Sequence, residues 1–149
     1  MRHSVRAVIF KDNQLLVMKR RKNGKDFYTL VGGGIDDGEA PEAALVRELR
    51  EEASIEVAKP RLVIKLDQKG FGEQLIYACK YVSGEPALAG DSGEAGQTKK
   101  GQNTYQPMWL PIKELASVNL LPEQLKVVLW GSLGGIYWPD QPIELTVKS

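Results

Sequence analysis

The sequence predicts a mixed α/β chain, because β-strand patterns and helical patterns alternate along it. Apolar and polar residues alternate through 4–20 with a polar break at 11–14, which is typical of a β-hairpin. A helical pattern follows Pro41, and a second one runs through 122–130 until it meets a glycine. Three further apolar runs have the length and residue types of strands, at 56–67, 74–82 and 105–110.

The composition is that of one ordinary globular domain, predicted to span residues 1–149. A formal net charge of +1 provides no global field that would attract nucleic acid, so no specific nucleic-acid partner is expected. No apolar stretch is long enough to span a bilayer, and the N-terminus lacks the apolar core of a signal peptide. Cys79 is the only cysteine, and its apolar neighbours indicate a buried structural thiol. These features predict a cytoplasmic protein without a membrane partner.

A glycine-rich segment followed by an acidic helix is the most informative part of the chain. Gly32, Gly33 and Gly34 are expected to form a turn, since adjacent glycines allow positive φ and close backbone approach. Pro41 suits a first helical turn, so the helix is expected to begin near Ala40. Beyond it, apolar residues at helical spacing occupy one face, and an adjoining wedge carries charged residues.

Three glutamates, Glu48, Glu51 and Glu52, crowd that charged wedge. Like charges at this spacing are mutually unfavourable in an isolated helix, and clustered carboxylates suit a hard cation such as Mg²⁺. A solvated charged face, with Arg47 and Arg50 as counterions, is the alternative interpretation. Neither the P-loop nor the dinucleotide-binding glycine pattern fits the segment, because Glu39 and Asp37 stand at positions where those motifs require other residues.

The spacing from Gly33 to Ile55 resembles the Nudix box of the Nudix hydrolases. Gly33 is followed after five residues by Glu39, and after seven more by Arg47-Glu48-Leu49-x-Glu51-Glu52-x-Ser54-Ile55. One position departs from the family pattern, since Ser54 stands where the family has glycine. If the helix ends there with positive φ, a serine in place of glycine costs on the order of 1 kcal/mol.

This resemblance implies an α/β/α sandwich with a central mixed sheet and metal-dependent hydrolysis of a nucleoside diphosphate linked to another moiety. By position, Glu48, Glu51, Glu52 and the Gly32 carbonyl are expected to bind Mg²⁺ or Mn²⁺, and Glu39 and Arg47 to form a buried structural pair. Nucleoside triphosphates, nucleotide sugars and dinucleoside polyphosphates all remain open as substrates. A nucleotide-sensing module on the same fold, without catalysis, is the alternative function.

Other site residues are predicted from their place in the chain. Glu51 or Glu52 can act as the general base, and so can Glu94, carried by a glycine-rich loop over 83–104, with Asp91 and Glu85 as rivals. The basic loop 19–25 leads into the glycine segment, which makes Arg20 a candidate for substrate phosphates. Phe27 or Tyr28 is a candidate for stacking on a base, with the other expected to pack in the core. The tail 136–149 is predicted to form an edge strand or the contact of a homodimer.

Overall fold

A computed structural model describes residues 3–88, 103–132 and 138–148 of the chain. The helices are α1 (Pro41–Ala53), a 3₁₀-helix (Ile112–Ser117) and α2 (Gln124–Gly131). The strands are β1 (His3–Val8), β2 (Phe10–Lys11), β3 (Gln14–Lys22), β4 (Lys25–Thr29), β5 (Val31–Gly34), β6 (Glu56–Gln68), β7 (Gly72–Ser83), β8 (Asn103–Pro111) and β9 (Ile143–Val147).

The strands form two sheets. The first is mixed, in the order β5-β1-β7-β6-β9, with β1 parallel to β7 and β6 parallel to β9. In the second sheet, β8 pairs along the full length of β3, whose other edge carries β2 and then β4. The predicted α/β class with a central mixed sheet is confirmed, and the strand predicted over 74–82 lies at the centre of the first sheet.

Two apolar clusters cover opposite faces of these strands, because side chains alternate between faces along a strand. The α1-side cluster contains Leu45 and Leu49 of α1 together with Val5 of β1. The α2-side cluster contains Leu129 of α2 together with Val8 of β1. Each fully buried leucine contributes about 1.5–3 kcal/mol of hydrophobic stabilisation. The helices therefore lie on the two sides of the strands, with the box helix on one side only.

Helix α1 begins and ends where its sequence predicts. Pro41 occupies its first turn, and Ser54 at its C-terminus adopts the left-handed conformation with φ 59° and ψ 35°. The Ser54 hydroxyl donates to the Ala87 carbonyl at 2.7 Å, and the Ala87 amide donates to the Ala53 carbonyl at 3.0 Å. The segment after β7 is thereby tied to the end of the box helix.

The glycine segment is a strand and not the predicted turn. Gly32 and Gly33 lie in β5, antiparallel to β1, where a Cβ on Gly32 would overlap the Val5 carbonyl oxygen. A Cβ on Gly33 would overlap the carboxylate of Glu48. Glycine is required here by close approach, whereas the positive φ in this part of the chain belongs to Gly38, at 78°.

Smaller differences concern the ends of elements and the degree of burial. The predicted basic loop is mostly strand, since β3 extends to Lys22 and the reversal occurs at Asn23 and Gly24. Cys79 is partly buried, and burial, aided by the charge of Glu42, raises its pKa to about 12. The predicted edge strand in the tail is confirmed as β9.

Asp91 and Glu94 lie outside the described residues, as does most of the predicted loop. Within the part of the chain that is described, no helix is both long and apolar enough to cross a membrane.

Candidate active site

A polar cavity of about 430 Å³ lies between the box helix and the second sheet. Strand β5 and helix α1 form one wall, and β3, β4 and β8 form the opposite wall. Among the described residues, the charged side chains of the lining are two arginines and two glutamates. The lining consists of Arg6, Met18, Arg20, Thr29, Leu30, Val31, Gly32, Gly33, Gly34, Glu48, Glu52 and Tyr105.

The three box glutamates do not share one environment. Glu48 and Glu52, one helical turn apart, line the cavity and are buried, at 7% and 9% exposure. Glu51 lies outside the cavity lining, with half of its side chain exposed. The alternative of a solvated charged face therefore fits Glu51 but not Glu48 and Glu52, which are buried, and Gly33 of β5 approaches Glu48 directly.

Arg47 holds the beginning of the box to its helix. Its Nε and Nη2 donate to the two carboxylate oxygens of Glu39, each at 2.9 Å, and Nη2 also donates to the Gly34 carbonyl at 3.1 Å. Nη1 donates to Glu48 at 2.9 Å and to Glu51 at 3.3 Å. The expected contact between Glu39 and Arg47 is present, in a partly buried setting, with 18% and 28% of the side chains exposed. One cation thus holds strand, turn and helix together.

The pKa values follow from this network. Hydrogen bonds from Arg47, and then from the Asp36 amide, hold the pKa of Glu39 at about 2. The same hydrogen bond to Glu39, with further help from Glu48, raises the pKa of Arg47. Both groups therefore stay charged over the whole range in which the protein would function.

The oxygen donors of this wall suit a hard divalent cation, which prefers carboxylate and carbonyl ligands. The cavity brings Glu48 and Glu52 to the backbone of Gly32, whose carbonyl also accepts from Arg6 Nη1 at 3.3 Å. The predicted set of three carboxylates is not assembled, however. Over 3–88, 103–132 and 138–148, no three His, Cys, Asp or Glu side chains converge as a metal site, since Arg47 Nη1 lies between Glu48 and Glu51.

The opposite wall carries an arginine between two aromatic rings. Arg20 is the direct cross-strand partner of Phe27 on one side and of Tyr105 on the other. Its guanidinium carbon lies 3.8 Å from the Tyr105 ring centroid and 5.3 Å from that of Phe27. Arg20 Nη2 donates to the Tyr105 hydroxyl at 2.7 Å, and Nε is buried without a hydrogen-bond partner in the described structure. We call Phe27, Arg20 and Tyr105 the arginine row.

The structure places Tyr28 elsewhere, which corrects the prediction of a stacking role. Its side chain packs against the α2-side cluster, and its backbone exchanges hydrogen bonds with Asn119 and Leu121. Tyr28 follows Phe27 in β4 and so points to the opposite face of the sheet.

Two cavity residues escaped sequence reasoning. Tyr105 reaches the site only through the pairing of β3 with β8, which no local pattern reveals. Arg6 occupies the polar position between Val5 and Ala7 of an alternating strand, so the pattern does not distinguish it from a solvent-exposed residue.

A family model described as the NUDIX domain matches residues 1–131. The match covers most of the chain, and it includes the box helix, strand β5 and every residue that lines the cavity. The chain therefore belongs to the NUDIX domain family, and the resemblance to the Nudix hydrolases is confirmed.

Similar proteins of known name share only part of their length with this chain. An ADP-ribose pyrophosphatase from Methanocaldococcus jannaschii is 30% identical over 99 residues, which is 62% of this chain and 58% of that protein. An RNA pyrophosphohydrolase from Pelagibacter ubique is 47% identical over 49 residues, 33% of this chain and 31% of that protein. The chain thus matches less than two thirds of either relative.

The fold itself is shared over a greater length. A crystal structure of a MutT protein from Bacillus halodurans superposes with a TM-score of 0.69, covering 99% of this chain and 90% of that one. At 16% sequence identity this likeness shows the fold alone.

Proposed function

We propose that this chain hydrolyses a pyrophosphate bond in a nucleoside diphosphate linked to another moiety. The observation that carries the proposal is the polarity of the cavity, in which buried Glu48 and Glu52 face a wall bearing Arg20. A polyphosphate requires cationic partners at both ends, supplied here by arginine on one side and by a cation held on carboxylates on the other. Both named relatives are pyrophosphate-cleaving enzymes by name, which supports the same class.

In this proposal Glu48, Glu51, Glu52 and the Gly32 carbonyl hold Mg²⁺, with Mn²⁺ as an alternative. When bound, the cation would neutralise phosphate oxygens and favour attack on phosphorus. For Glu51 to join Glu48 and Glu52, its carboxylate has to leave Arg47 Nη1. Arg47 keeps its place meanwhile, because Nε and Nη2 remain bonded to Glu39.

The reaction itself needs a nucleophile and a proton acceptor. Water attacks one phosphorus, the bond to the bridging oxygen breaks, and two phosphorylated products leave. Glu52 is the preferred acceptor of the water proton because it is buried within the cavity. Glu51 and Glu94 remain rival bases, and Arg20 is proposed to contact a substrate phosphate.

A turnover panel tests the proposal. The purified protein is incubated with Mg²⁺ and, separately, with nucleoside triphosphates, ADP-ribose and a dinucleoside polyphosphate, and phosphorylated products are separated by chromatography. We expect turnover of at least one class, abolished by a chelator and by Glu52→Gln. Saturable nucleotide binding without turnover of any class would instead favour the nucleotide-sensing module.

The partner in this proposal is a small nucleotide. A homodimer, with a cytoplasmic location, stays a prediction, and light scattering of the purified protein tests the oligomeric state.

A further inference from the structure

Arg20, the central residue of the arginine row, is held in place by more contacts than an ordinary surface arginine. The Arg20 guanidinium carbon lies 3.8 Å from the Tyr105 ring centroid and 5.3 Å from that of Phe27, and Nη2 donates to the Tyr105 hydroxyl. An exposed arginine loses rotamer entropy when it binds a ligand, and a group already fixed in place does not. Arg20 is therefore orientated before any ligand arrives.

The same packing decides which kind of contact Arg20 can still make. The rings of Tyr105 and Phe27 occupy space beside the guanidinium, Nε is buried and Nη2 already donates to Tyr105, so the remaining N–H groups of the guanidinium are the ones left for a ligand. In-plane N–H groups of arginine match the oxygens of phosphate. Arg20 lines the cavity opposite Glu48 and Glu52, and no carboxylate pairs with it among the described residues.

We propose that Tyr105 is a positioning residue, which holds Arg20 by its hydroxyl and ring so that Arg20 binds the phosphate group of the substrate remote from the box glutamates. This inference rests on the proposed function. Tyr105 acts through Arg20, and its contribution is to ground-state binding more than to the chemical step.

The alternative role for Arg20 is contact with the base. Among the described residues, Arg20 shares the cavity lining with Glu48, Glu52 and the glycines of β5, and this polar surrounding favours a charged ligand group over a base. The four charged side chains among the described lining residues sum to no net charge, so a divalent cation held on the carboxylates would make the lining positive, which suits a pyrophosphate.

The test is a double-mutant cycle in equilibrium binding. Wild type, Tyr105→Phe, Arg20→Lys and the double variant are titrated by calorimetry in EDTA with inorganic pyrophosphate, with ADP and with adenosine. Tyr105→Phe keeps the ring and removes one charged hydrogen bond, so we expect pyrophosphate and ADP to bind about threefold to tenfold more weakly. Arg20→Lys should lose about tenfold or more, since lysine has no planar fork.

The decisive quantity is the coupling between the two substitutions. If Tyr105 acts through Arg20, the double variant binds no more weakly than Arg20→Lys alone, and adenosine binding is the same in all four proteins. Additive losses, or losses confined to adenosine, would overturn the inference. Tyr28→Phe, the same substitution on the opposite face of the sheet, is the matched control and should bind like wild type.

Turnover separates this inference from the proposed function. With a substrate from the panel, Tyr105→Phe should raise KM while kcat changes less than about twofold, the pattern of lost uniform binding. A fall in kcat with unchanged KM would overturn the positioning role. If no substrate is turned over but the binding cycle shows coupling, the proposed hydrolysis fails and the positioning of Arg20 stands.

Discussion

Two arginines near the cavity have surroundings of different kinds. Arg47 is bonded to Glu39, Glu48 and Glu51, so its charge is balanced within the protein. Arg20 is held by two rings and a hydroxyl, which fix its position and leave its charge uncompensated by any described carboxylate. The difference shows that one cation serves the fold and the other is suited to an anionic ligand.

The largest expected effect comes from removing a cavity carboxylate. Glu52→Gln should lower kcat by about 10²–10⁴-fold, the range for loss of a general base, while the melting temperature stays near that of wild type. Glu51→Gln should lower kcat less, because Glu51 lies outside the cavity lining. Steady-state kinetics with thermal melting of each variant measures both effects. Equal turnover of Glu52→Gln and wild type would show that the Glu52 carboxylate is not needed for the reaction.

Replacing each arginine with lysine tests most directly whether Arg47 serves stability and Arg20 serves ligand binding. Arg47→Lys loses the two-pronged contact with Glu39 and should lower the free energy of unfolding by about 1–3 kcal/mol. Arg20→Lys loses ring contacts and should cost less than about 1 kcal/mol. Ligand affinity should show the reverse order for pyrophosphate. Urea unfolding measures the loss of stability in both variants, and calorimetry measures their loss of pyrophosphate affinity. A larger loss of stability in Arg20→Lys than in Arg47→Lys would contradict the prediction.

Acid should weaken the Arg47 network in a definite window. The pKa of Glu39 is lowered from 4.5 to about 2 in the folded protein, so the folded state takes up its proton later than the unfolded chain. The stabilisation that the ionised Glu39 carboxylate gives to the folded state is therefore complete above about pH 4.5 and is lost as the pH falls through 2.

Urea unfolding of wild type and Glu39→Gln measures this dependence. The gap between the two proteins should be constant from neutral pH down to about 4.5 and close below that value, down to about pH 2. A gap that stays constant across that window would show that the Glu39 carboxylate is not the group that titrates.

The smallest effect belongs to the end of the box helix. Ser54→Gly relieves the positive φ, worth about 1 kcal/mol, and loses the hydroxyl bond to Ala87, worth about the same, so stability should stay within about 0.5 kcal/mol of wild type. Ser54→Ala keeps the strained backbone and loses the bond, and should be less stable by about 1 kcal/mol. Denaturant titration decides between them, and equal stability of Ser54→Ala and wild type would show that the bond contributes nothing.

The sequence sufficed for features that depend on local chemistry. Pro41 at the start of α1 follows from a short-range preference, the left-handed Ser54 at its end follows from the resemblance to the Nudix box, and the α/β class follows from periodicity. The sequence was insufficient to predict features at which distant segments of the chain meet. Gly32 and Gly33 are glycine because Val5 and Glu48 approach them, and that approach is a property of the folded chain.

Local sequence also cannot predict the different locations of Tyr28 and Tyr105. Tyr28 and Tyr105 are equally plausible as aromatic contacts in the sequence, and strand register alone sends one to the α2-side cluster and the other to the cavity. Helical spacing places the three glutamates on one wedge, but the strand that approaches Glu48 and the arginine that bonds Glu51 depend on tertiary packing.

The close approach at β5 has a consequence for how ligand preference can change. A side chain at position 32 would overlap the Val5 carbonyl oxygen, and one at position 33 would displace the Glu48 carboxylate, so this part of β5 offers a ligand main-chain groups. Changes of ligand preference are then expected at lining positions such as 18, 20 and 105, which present side chains to the cavity. The main-chain groups of β5 stay the same, and a new substrate would be accommodated by substitutions at the other lining positions.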